Sequence, residues 1–545
     1  MKTKADQLPL RSRVQKLKEE LFAEQRYMSV EQAKIVTDVY RVHSDLPRNI
    51  LRALALKEAL NRIEIGIAPG ELIVGNRTTG VRAGVIFPES GLSWVDREIE
   101  SLPTRPQDPF QVRPEDVEAF KSEIFPFWQG KTLEDVLDER IGDEMRAIGK
   151  VAKINQTDHA QGHICPDTAR WLQYGPSGLL KQARQAQKQH PENHDFYEGL
   201  AIALEGASQF MLRYATLARV MAVTSESSAE LLEIARVCEK LAAQPPETYR
   251  EAVQASWFLY VILQMESNAS SFSPGRMDQY LYPFYVRDIE RGALSLEDAL
   301  EITECLFLKF NQIVYLRSSS SAKYFAGFPI GFNVAIGGQD ERGGSAENEL
   351  TFLFLRAQEH LLLPQPNLSA RVFEGSSEHF LTRCAQVIGK GSGMPQLFND
   401  EAVIPALKGK GISDEDARNY AIVGCVELTT MGNNLGWSDA AMFNLVKALE
   451  LALNDGVCTL TGKQMGAHTG TLKDFETYED VLNALETQVN FFFERMIRCC
   501  EVVERAHAEL LPSPFLSCVI DDCMERGIDV TAGGAHYNLS GIQAI

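Results

Sequence analysis

From residue 330 onward the chain alternates short apolar runs with helical patterns, and this alternation constrains the fold more than any other feature of its 545 residues. The runs at 330–336, 367–372 and 396–398 have strand length, and the segments between them, 350–363 and 378–389, carry helical spacing. Strand, crossover helix and parallel strand is the arrangement that such spacing produces, so the expected class is α/β, a barrel or a wound sheet whose loops carry the chemistry. Further along, 419-NYAIVGCVE-427 reads as a strand entering a loop, 440–453 and 481–510 as helices, and 515–520 as another strand.

The first 67 residues read as helices. Ser29 and Gln32 have capping-box spacing ahead of Val30, Ala33, Val36, Val39 and Tyr40, and Leu51, Leu54, Ala55, Ala59 and Ile63 share one stripe. The run Gly-Glu-Leu-Ile-Val-Gly at 70–75 is bounded by glycines and has the pattern of a strand. Residues 101–150 are proline-rich and charged, and 196–266 return to long helical periodicity, broken at Pro245 and Pro246. With no repeat, low-complexity tract or linker, one large domain over 1–545 is expected.

Composition removes several classes of function. Seventy-four acidic against 54 basic residues leave a net charge of −20 with no basic run, which argues against nucleic acid or an anionic membrane as partner. Residues 1–20 have no apolar core of signal-peptide length. No uncharged apolar run reaches the about 18 residues of a membrane span, since 200–222 is interrupted by Glu205, Arg213 and Arg219. Ten cysteines run from Cys165 to Cys523, and the close pairs Cys499/Cys500 and Cys518/Cys523 lack zinc-finger partners. A reducing cytoplasm, mostly buried thiols and no metal are expected.

The common catalytic motifs are missing. Residues 389–393, Gly-Lys-Gly-Ser-Gly, lack the P-loop ending, and neither His-Glu-x-x-His nor Gly-x-Ser-x-Gly occurs. What remains is Gly-Cys-Val-Glu at 424–427, just after an apolar run. In an extended segment Cys425 and Glu427 face the same side, a sulfur centre beside a general base. On spacing alone the pair fits a small buried cysteine beside a loop glutamate better than a catalytic pair. A second polar cluster, 155-NQTDHAQGHI-164, holds His159 and His163, suited to ligand contact or proton transfer and equally to satisfied loop imidazoles. A third, 264-QMESNASSFSPGRMDQY-280, is a helix end that binds a polar ligand or caps itself.

Together these segments resemble the pyruvate formate-lyase-like glycyl radical enzymes along the whole chain. The collinear blocks are 70-GELIVGNRT-78, 103-PTRPQD-108, 155-NQTDHAQGH-163, 274-PGRMDQY-280, 364-PQPNLSAR-371, 395-PQLFND-400, 419-NYAIVGCVE-427 and 533-GGAHYN-538. The resemblance implies a ten-stranded α/β barrel surrounded by helices, here incomplete at the C-terminal end. One finger loop, about 424–437, carries the cysteine. The other, with the radical glycine in an Arg-Val-x-Gly-Tyr/Phe segment, has no counterpart before 541-GIQAI-545, so a C-terminal glycine radical domain is expected to be absent. Within the family, formate acetyltransferases proper carry two adjacent cysteines; Gly424 stands at the first, which disfavours acyl transfer to coenzyme A.

The Gly-Cys-Val-Glu form is similar to the dehydratase and related lyase branch. It implies a carbon–oxygen lyase removing water from a small diol or hydroxylated metabolite, with Cys425 as hydrogen relay and Glu427 as base. His163, Asp439 and Ser271 align with positions that contact substrate hydroxyls or protonate the departing water. No bound cofactor is implied; the glycyl radical would be installed by a radical S-adenosylmethionine activating enzyme, and the complete protein would be a homodimer. The loop 428-LTTMGNNLGW-437 and Ala269-Ser270 depart from the glycerol dehydratase pattern, so the substrate stays open. The alternatives are a C–S or C–N lyase or a formate acetyltransferase-like enzyme of the same family, or a fragment that needs a separate glycyl radical subunit.

Overall fold

The helix Tyr249–Glu266 organises the interior, because every one of its residues except Arg250 is buried. A helix buried around its whole circumference is enclosed on all sides, and the polar side chains of Glu251, Gln254 and Glu266 are hydrogen-bonded there. Trp257 and Tyr260 meet Phe310 and Phe332, and Trp171 Nε1 donates to the carbonyl of Ala255 at 2.9 Å. Thr248 and Glu251 form a capping box at its start. It follows the helices His194–Ala222 and Ser228–Ala243, which stop ahead of Pro245 and Pro246 as the sequence predicts. The computed structural model describes residues 4–327 and 329–544.

Three local expectations fail, each because a distant side chain supplies what the local pattern seemed to require. The run at 70–75 is not a strand: Val74 donates its N–H to Gln254 Oε1 at 2.8 Å and accepts from Gln254 Nε2 at 2.7 Å. The carbonyl of Gly75 accepts from Trp257 Nε1 at 2.8 Å. Those bonds satisfy the backbone as a neighbouring strand would. Residues 515–520 are also not a strand; Pro514–Ser517 is one helical turn, and the N–H groups of Phe515 and Leu516 donate to the buried carboxylate of Glu266 at 2.7 and 2.9 Å. Finally, the helix Glu31–Val42 has Val30 at its N-cap and no side-chain cap, while the amide of Gln32 reaches the carbonyl of Met265 at 2.9 Å.

Ten strands are defined among the described residues, in four short sheets. Strands β1 (Met28–Ser29) and β2 (Gly84–Val85) form a parallel pair at the N-terminal helices. Strand β3 (Ala152–Ile154) runs antiparallel to β9 (Asn434–Phe443), and β9 runs parallel to β10 (Tyr537–Ala544). Strands β4 (Asn333–Gly337), β5 (Asn367–Val372) and β6 (Gln396–Asn399) form the expected parallel sheet, with Glu349–Leu361 and Glu378–Val387 as crossover helices. Strands β7 (Tyr420–Val423) and β8 (Glu427–Thr430) make an antiparallel hairpin. Residues 440–443, expected as helix, extend β9 because β10 pairs with them. The helix Leu445–Ala452 starts only at Asn444, whose side chain accepts the N–H of Lys447 at 2.8 Å.

Two extended segments continue the parallel sheet beyond β4. Ile164 bridges Phe272 and Gly275 bridges Val334, both parallel. His163 N–H reaches the carbonyl of Ser270 at 2.9 Å, and Ser271 N–H that of Ile330 at 2.8 Å. His163 and Ser271 are thereby held side by side.

The parallel sheet is joined to the hairpin by a buried ion pair. Arg371, on β5, is fully buried, and its Nε lies 2.9 Å from the Asp400 carboxylate. Its guanidinium stacks 3.9 Å from the ring centroid of Tyr420 and donates to the Tyr420 carbonyl at 3.0 Å. Asp400 also accepts from Tyr420 Oη at 2.7 Å. Removing one member of such a pair leaves an uncompensated charge in the interior. Asp400→Ala is therefore expected to lower unfolding free energy by about 3–5 kcal/mol in urea titrations, whereas exposed Glu486→Ala changes it by less than about 0.5 kcal/mol.

Candidate active site

Val423 and Glu427 face each other across the β7–β8 hairpin, which leaves Gly424, Cys425 and Val426 as its turn. Glu427 closes that turn: its Oε2 accepts the N–H of Cys425 at 2.8 Å and of Val426 at 3.0 Å. Cys425 and Glu427 thus come together through a turn, and the extended segment expected from their spacing is absent. Gly424 has φ of +58°, and a Cβ there would lie 2.5 Å from His163 Nε2 and 2.7 Å from Glu427 Oε2. No side chain fits, a second cysteine included. The N–H of Gly424 donates to Ser271 Oγ, and its carbonyl accepts from Asn333 at 3.3 Å and Asn367 at 2.9 Å.

Behind the turn runs a line of acid–base groups. His163 Nε2 lies 3.8 Å from Glu427 Oε2, and His163 Nδ1 lies 3.0 Å from Asp439 Oδ1, off the line of a regular hydrogen bond. Asp439, on β9, is held by Gln156 Nε2 at 3.0 Å, and Asn155 Nδ2 reaches its backbone carbonyl at 2.6 Å. The other Glu427 oxygen accepts from Gln543 Nε2. Gln156, His163 and Ser271 have φ of +59°, +60° and +69°. Strained backbone at three non-glycine residues around one cavity marks a place where the surrounding fold overrides local preference.

The electrostatics favour the protonated forms of the Cys425 thiol and of the His163 imidazole. Burial by the cavity walls, with the negative charges of Glu427 and Asp439, pushes the Cys425 thiol up, and Arg317 only partly opposes this. Cysteine nucleophiles need the opposite shift, whereas a hydrogen-atom donor and acceptor needs the S–H bond intact. For His163, burial works against the charged form, but the close negative charge of Asp439, with that of Glu427, outweighs it and raises its pKa.

These residues line one cavity of about 360 Å³, together with Lys153, Asp158, His159, Trp94, Tyr315, Arg317, Tyr324 and Phe325. All five residues singled out for the site, Cys425, Glu427, His163, Asp439 and Ser271, line it. The hydroxyl of Ser271 is already engaged, donating to the Gly331 carbonyl at 2.8 Å and accepting from Gly424. His159 also lines the cavity, its Nδ1 2.7 Å from Asp158. In the third polar cluster, Arg276 and Asp278 serve the fold, binding the carbonyl of Gln339 at 2.9 Å and the N–H of Gly337 at 2.9 Å. All ten cysteines are free thiols, and of them only Cys425 is exposed. Among the described residues no group of three or more His, Cys, Asp or Glu is placed to hold a metal ion, and no helix is long and apolar enough to cross a membrane.

The pyruvate formate lyase-like family model matches residues 4–545. The chain belongs to this family. Among its pyruvate formate lyase-like relatives, the (2S)-3-sulfopropanediol dehydratase of Klebsiella oxytoca is 33% identical over 544 residues, 96% of this chain and 66% of that protein. The solved glycerol-bound B12-independent glycerol dehydratase of Clostridium butyricum superposes with a TM-score of 0.95 at 33% identity, covering 98% of this chain and 69% of that one. Hydroxyproline dehydratase of Clostridioides difficile, solved with trans-4-hydroxy-L-proline bound, gives 0.95 at 31% identity over 98% of this chain and 70% of its own. The fold is the α/β barrel of the pyruvate formate lyase-like enzymes. The chain spans just under two thirds of the length of the first curated relatives it matches.

Sequence reasoning missed Asn155, Gln156, Gln543, Lys153 and Arg317. Asn155 and Gln156 stand in the polar cluster already singled out for its histidines, and two adjacent amides ahead of them were the available signal; the other three carry no local mark. The His163–Asp439 pair yields a pH prediction. Because His163 is raised above its ordinary value, its contribution to stability is fully present below about pH 6.5 and fades as pH rises through the folded value. Asp439→Asn should lower the His163 titration midpoint, followed by nuclear magnetic resonance of the imidazole, and the wild-type stability margin over that variant should shrink as pH rises from 6.

Proposed function

We propose that this chain carries the substrate-binding and proton-transfer machinery of a glycyl radical dehydratase acting on a small hydroxylated metabolite. The observation that carries the reading is the hairpin tip itself, which presents a protonated, cavity-facing thiol on a turn closed by a carboxylate. When present, a glycyl radical supplies the hydrogen-atom acceptor that turns such a thiol into a thiyl radical. The fit to that role rests on Cys425, which alone among the ten thiols is exposed and stands at a protruding turn.

As a thiyl radical, Cys425 takes a hydrogen atom from the substrate carbon that bears a hydroxyl. Glu427 removes the proton of that hydroxyl, which leaves a ketyl radical anion able to push out the neighbouring hydroxyl. His163, charged beside Asp439, donates a proton to the leaving oxygen, so water departs. Cys425 returns the hydrogen atom to the adjacent carbon, and a carbonyl product results. Glu427 has then gained one proton and His163 lost one; the two are neighbours at 3.8 Å, and return of that proton, once the side chains close to hydrogen-bond distance, resets the pair. Ser271 and the amides of Asn333 and Asn367 position the turn. A radical S-adenosylmethionine activating enzyme, a homodimeric assembly and a cytoplasmic setting belong to the same reading, the last supported by ten unpaired thiols.

The test uses the full-length protein activated anaerobically and assayed for carbonyl product. Cys425→Ser should abolish turnover while the radical signal persists in electron paramagnetic resonance, because the serine O–H bond is much stronger than S–H. Glu427→Gln keeps a carbonyl oxygen for the turn and loses the base, so kcat should fall by about 10²–10⁴-fold with the fold intact. Product formation at the wild-type rate by either variant contradicts the relay role of Cys425 or the base role of Glu427.

A further inference from the structure

Lys447 and Cys458 form a close pair that the dehydration chemistry does not use. Lys447 lies in the helix Leu445–Ala452, which follows β9, and its Nζ stands 3.0 Å from Cys458 Sγ and 2.5 Å from Glu450 Oε2. Both members are packed in: the Lys447 side chain is 13% exposed and Cys458 is buried. An ammonium group held this close to sulfur makes a charge-assisted contact that favours the thiolate.

Local closure of the chain makes the contact. Val457 bridges Gln464 antiparallel, Cys458 N–H donates to the carbonyl of Lys463 at 2.9 Å, and the Cys458 carbonyl accepts from Gly462 at 2.8 Å, so 458–463 is a closed turn. Glu450 ties that turn to the helix. Its Oε1 accepts the N–H and the hydroxyl of Thr459 at 2.7 and 2.6 Å, while Oε2 receives Lys447. One carboxylate therefore positions both the amine and the thiol. The sulfur is also unlike the other nine. Lys447, the Thr461 hydroxyl and the N–H groups of Thr461 and Leu460 pull the Cys458 thiol down to about 7, whereas every other cysteine is pushed up, first of all by burial.

A thiolate is the form of cysteine that oxidants attack, and its first oxidised states are captured by whatever nucleophile touches the sulfur. Here that neighbour is an amine nitrogen. We infer that Lys447 and Cys458 are a modification site, joined by dioxygen into a reversible covalent link in which one oxygen atom bridges Sγ and Nζ. The step balances with dioxygen as the sole oxidant. The S–H bond, one N–H bond of the amine and the O–O bond break; S–O and O–N bonds form, and the second oxygen leaves as water with the two hydrogens. Sulfur and nitrogen lose two electrons each, and the two oxygen atoms gain two each. A thiolate facing an ammonium holds the same atoms as a thiol facing an amine, so the balance is the same from either state, with Glu450 at hand to relay the proton the nitrogen sheds. Dioxygen is small and uncharged, which suits a sulfur enclosed by its own turn.

Mass spectrometry of the chain without radical activation, kept anaerobic or exposed to air, tests this independently of turnover. Cleavage after glutamate leaves Lys447 on the peptide 428–450 and Cys458 on the peptide 451–476. In air the two peptides should stay joined at about 14 Da above their summed mass, one oxygen gained and two hydrogens lost. Protein kept anaerobic, or exposed to air and then treated with dithiothreitol, should release them separately and unmodified. Cys458→Ser and Lys447→Arg, each checked by circular dichroism for an intact fold, should give no joined species in air. Separate, unmodified peptides from the air-exposed wild type overturn the inference. So does oxidation of Cys458 alone to the same extent in wild type and Lys447→Arg, or a joined species about 2 Da below the summed mass, the signature of a direct sulfur–nitrogen bond.

Discussion

Two hydrogen bonds, from the N–H groups of Cys425 and Val426 to one oxygen of Glu427, set the shape of the β7–β8 turn, and the arrangement of the site follows from that shape. The turn needs a glycine at 424 because His163 and Glu427 already fill the space beside it. It needs Ser271 and two asparagines because a three-residue turn cannot satisfy its own backbone. Those partners sit on segments of the parallel sheet, so the fold locates the thiol through backbone contacts and not through the packing of its side chain.

The same carboxylate that closes the turn is the base of the proposed reaction. One of its oxygens accepts the two turn N–H groups and lies 3.8 Å from His163 Nε2, and the other accepts from Gln543. His163 links this carboxylate to Asp439, and Asp439 is braced by the amides of Asn155 and Gln156. Carboxylate, imidazole and carboxylate thus stand in one line along the cavity wall.

The parallel strands β4, β5 and β6 and their crossover helices were legible in the sequence, because helical and strand periods are local. The meeting of 424–427 and 155–163 at one cavity was legible only once collinear family blocks were added to spacing that alone fits an inert loop. The failures share one cause. The strand-like run at 70–75 is completed by Gln254, the apolar run at 515–520 is turned into a helix by Glu266, and 440–443 are drawn into β9 by a strand about a hundred residues later. Burial and pairing decided these, and neither is written within the segment itself. Lys153 and Arg317 escaped notice for the same reason, since only the fold brings them to the cavity wall.

Substrate orientation in the proposed reaction depends on the hairpin tip, which presents Cys425 and Glu427 to one cavity. A crystal structure of the protein with a small vicinal diol bound measures this directly. The hydroxyl-bearing carbon is expected against Cys425 Sγ and its hydroxyl on the Glu427 carboxylate. A diol seated away from the hairpin turn, or a Cys425 side chain turned away from the ligand, would contradict that orientation.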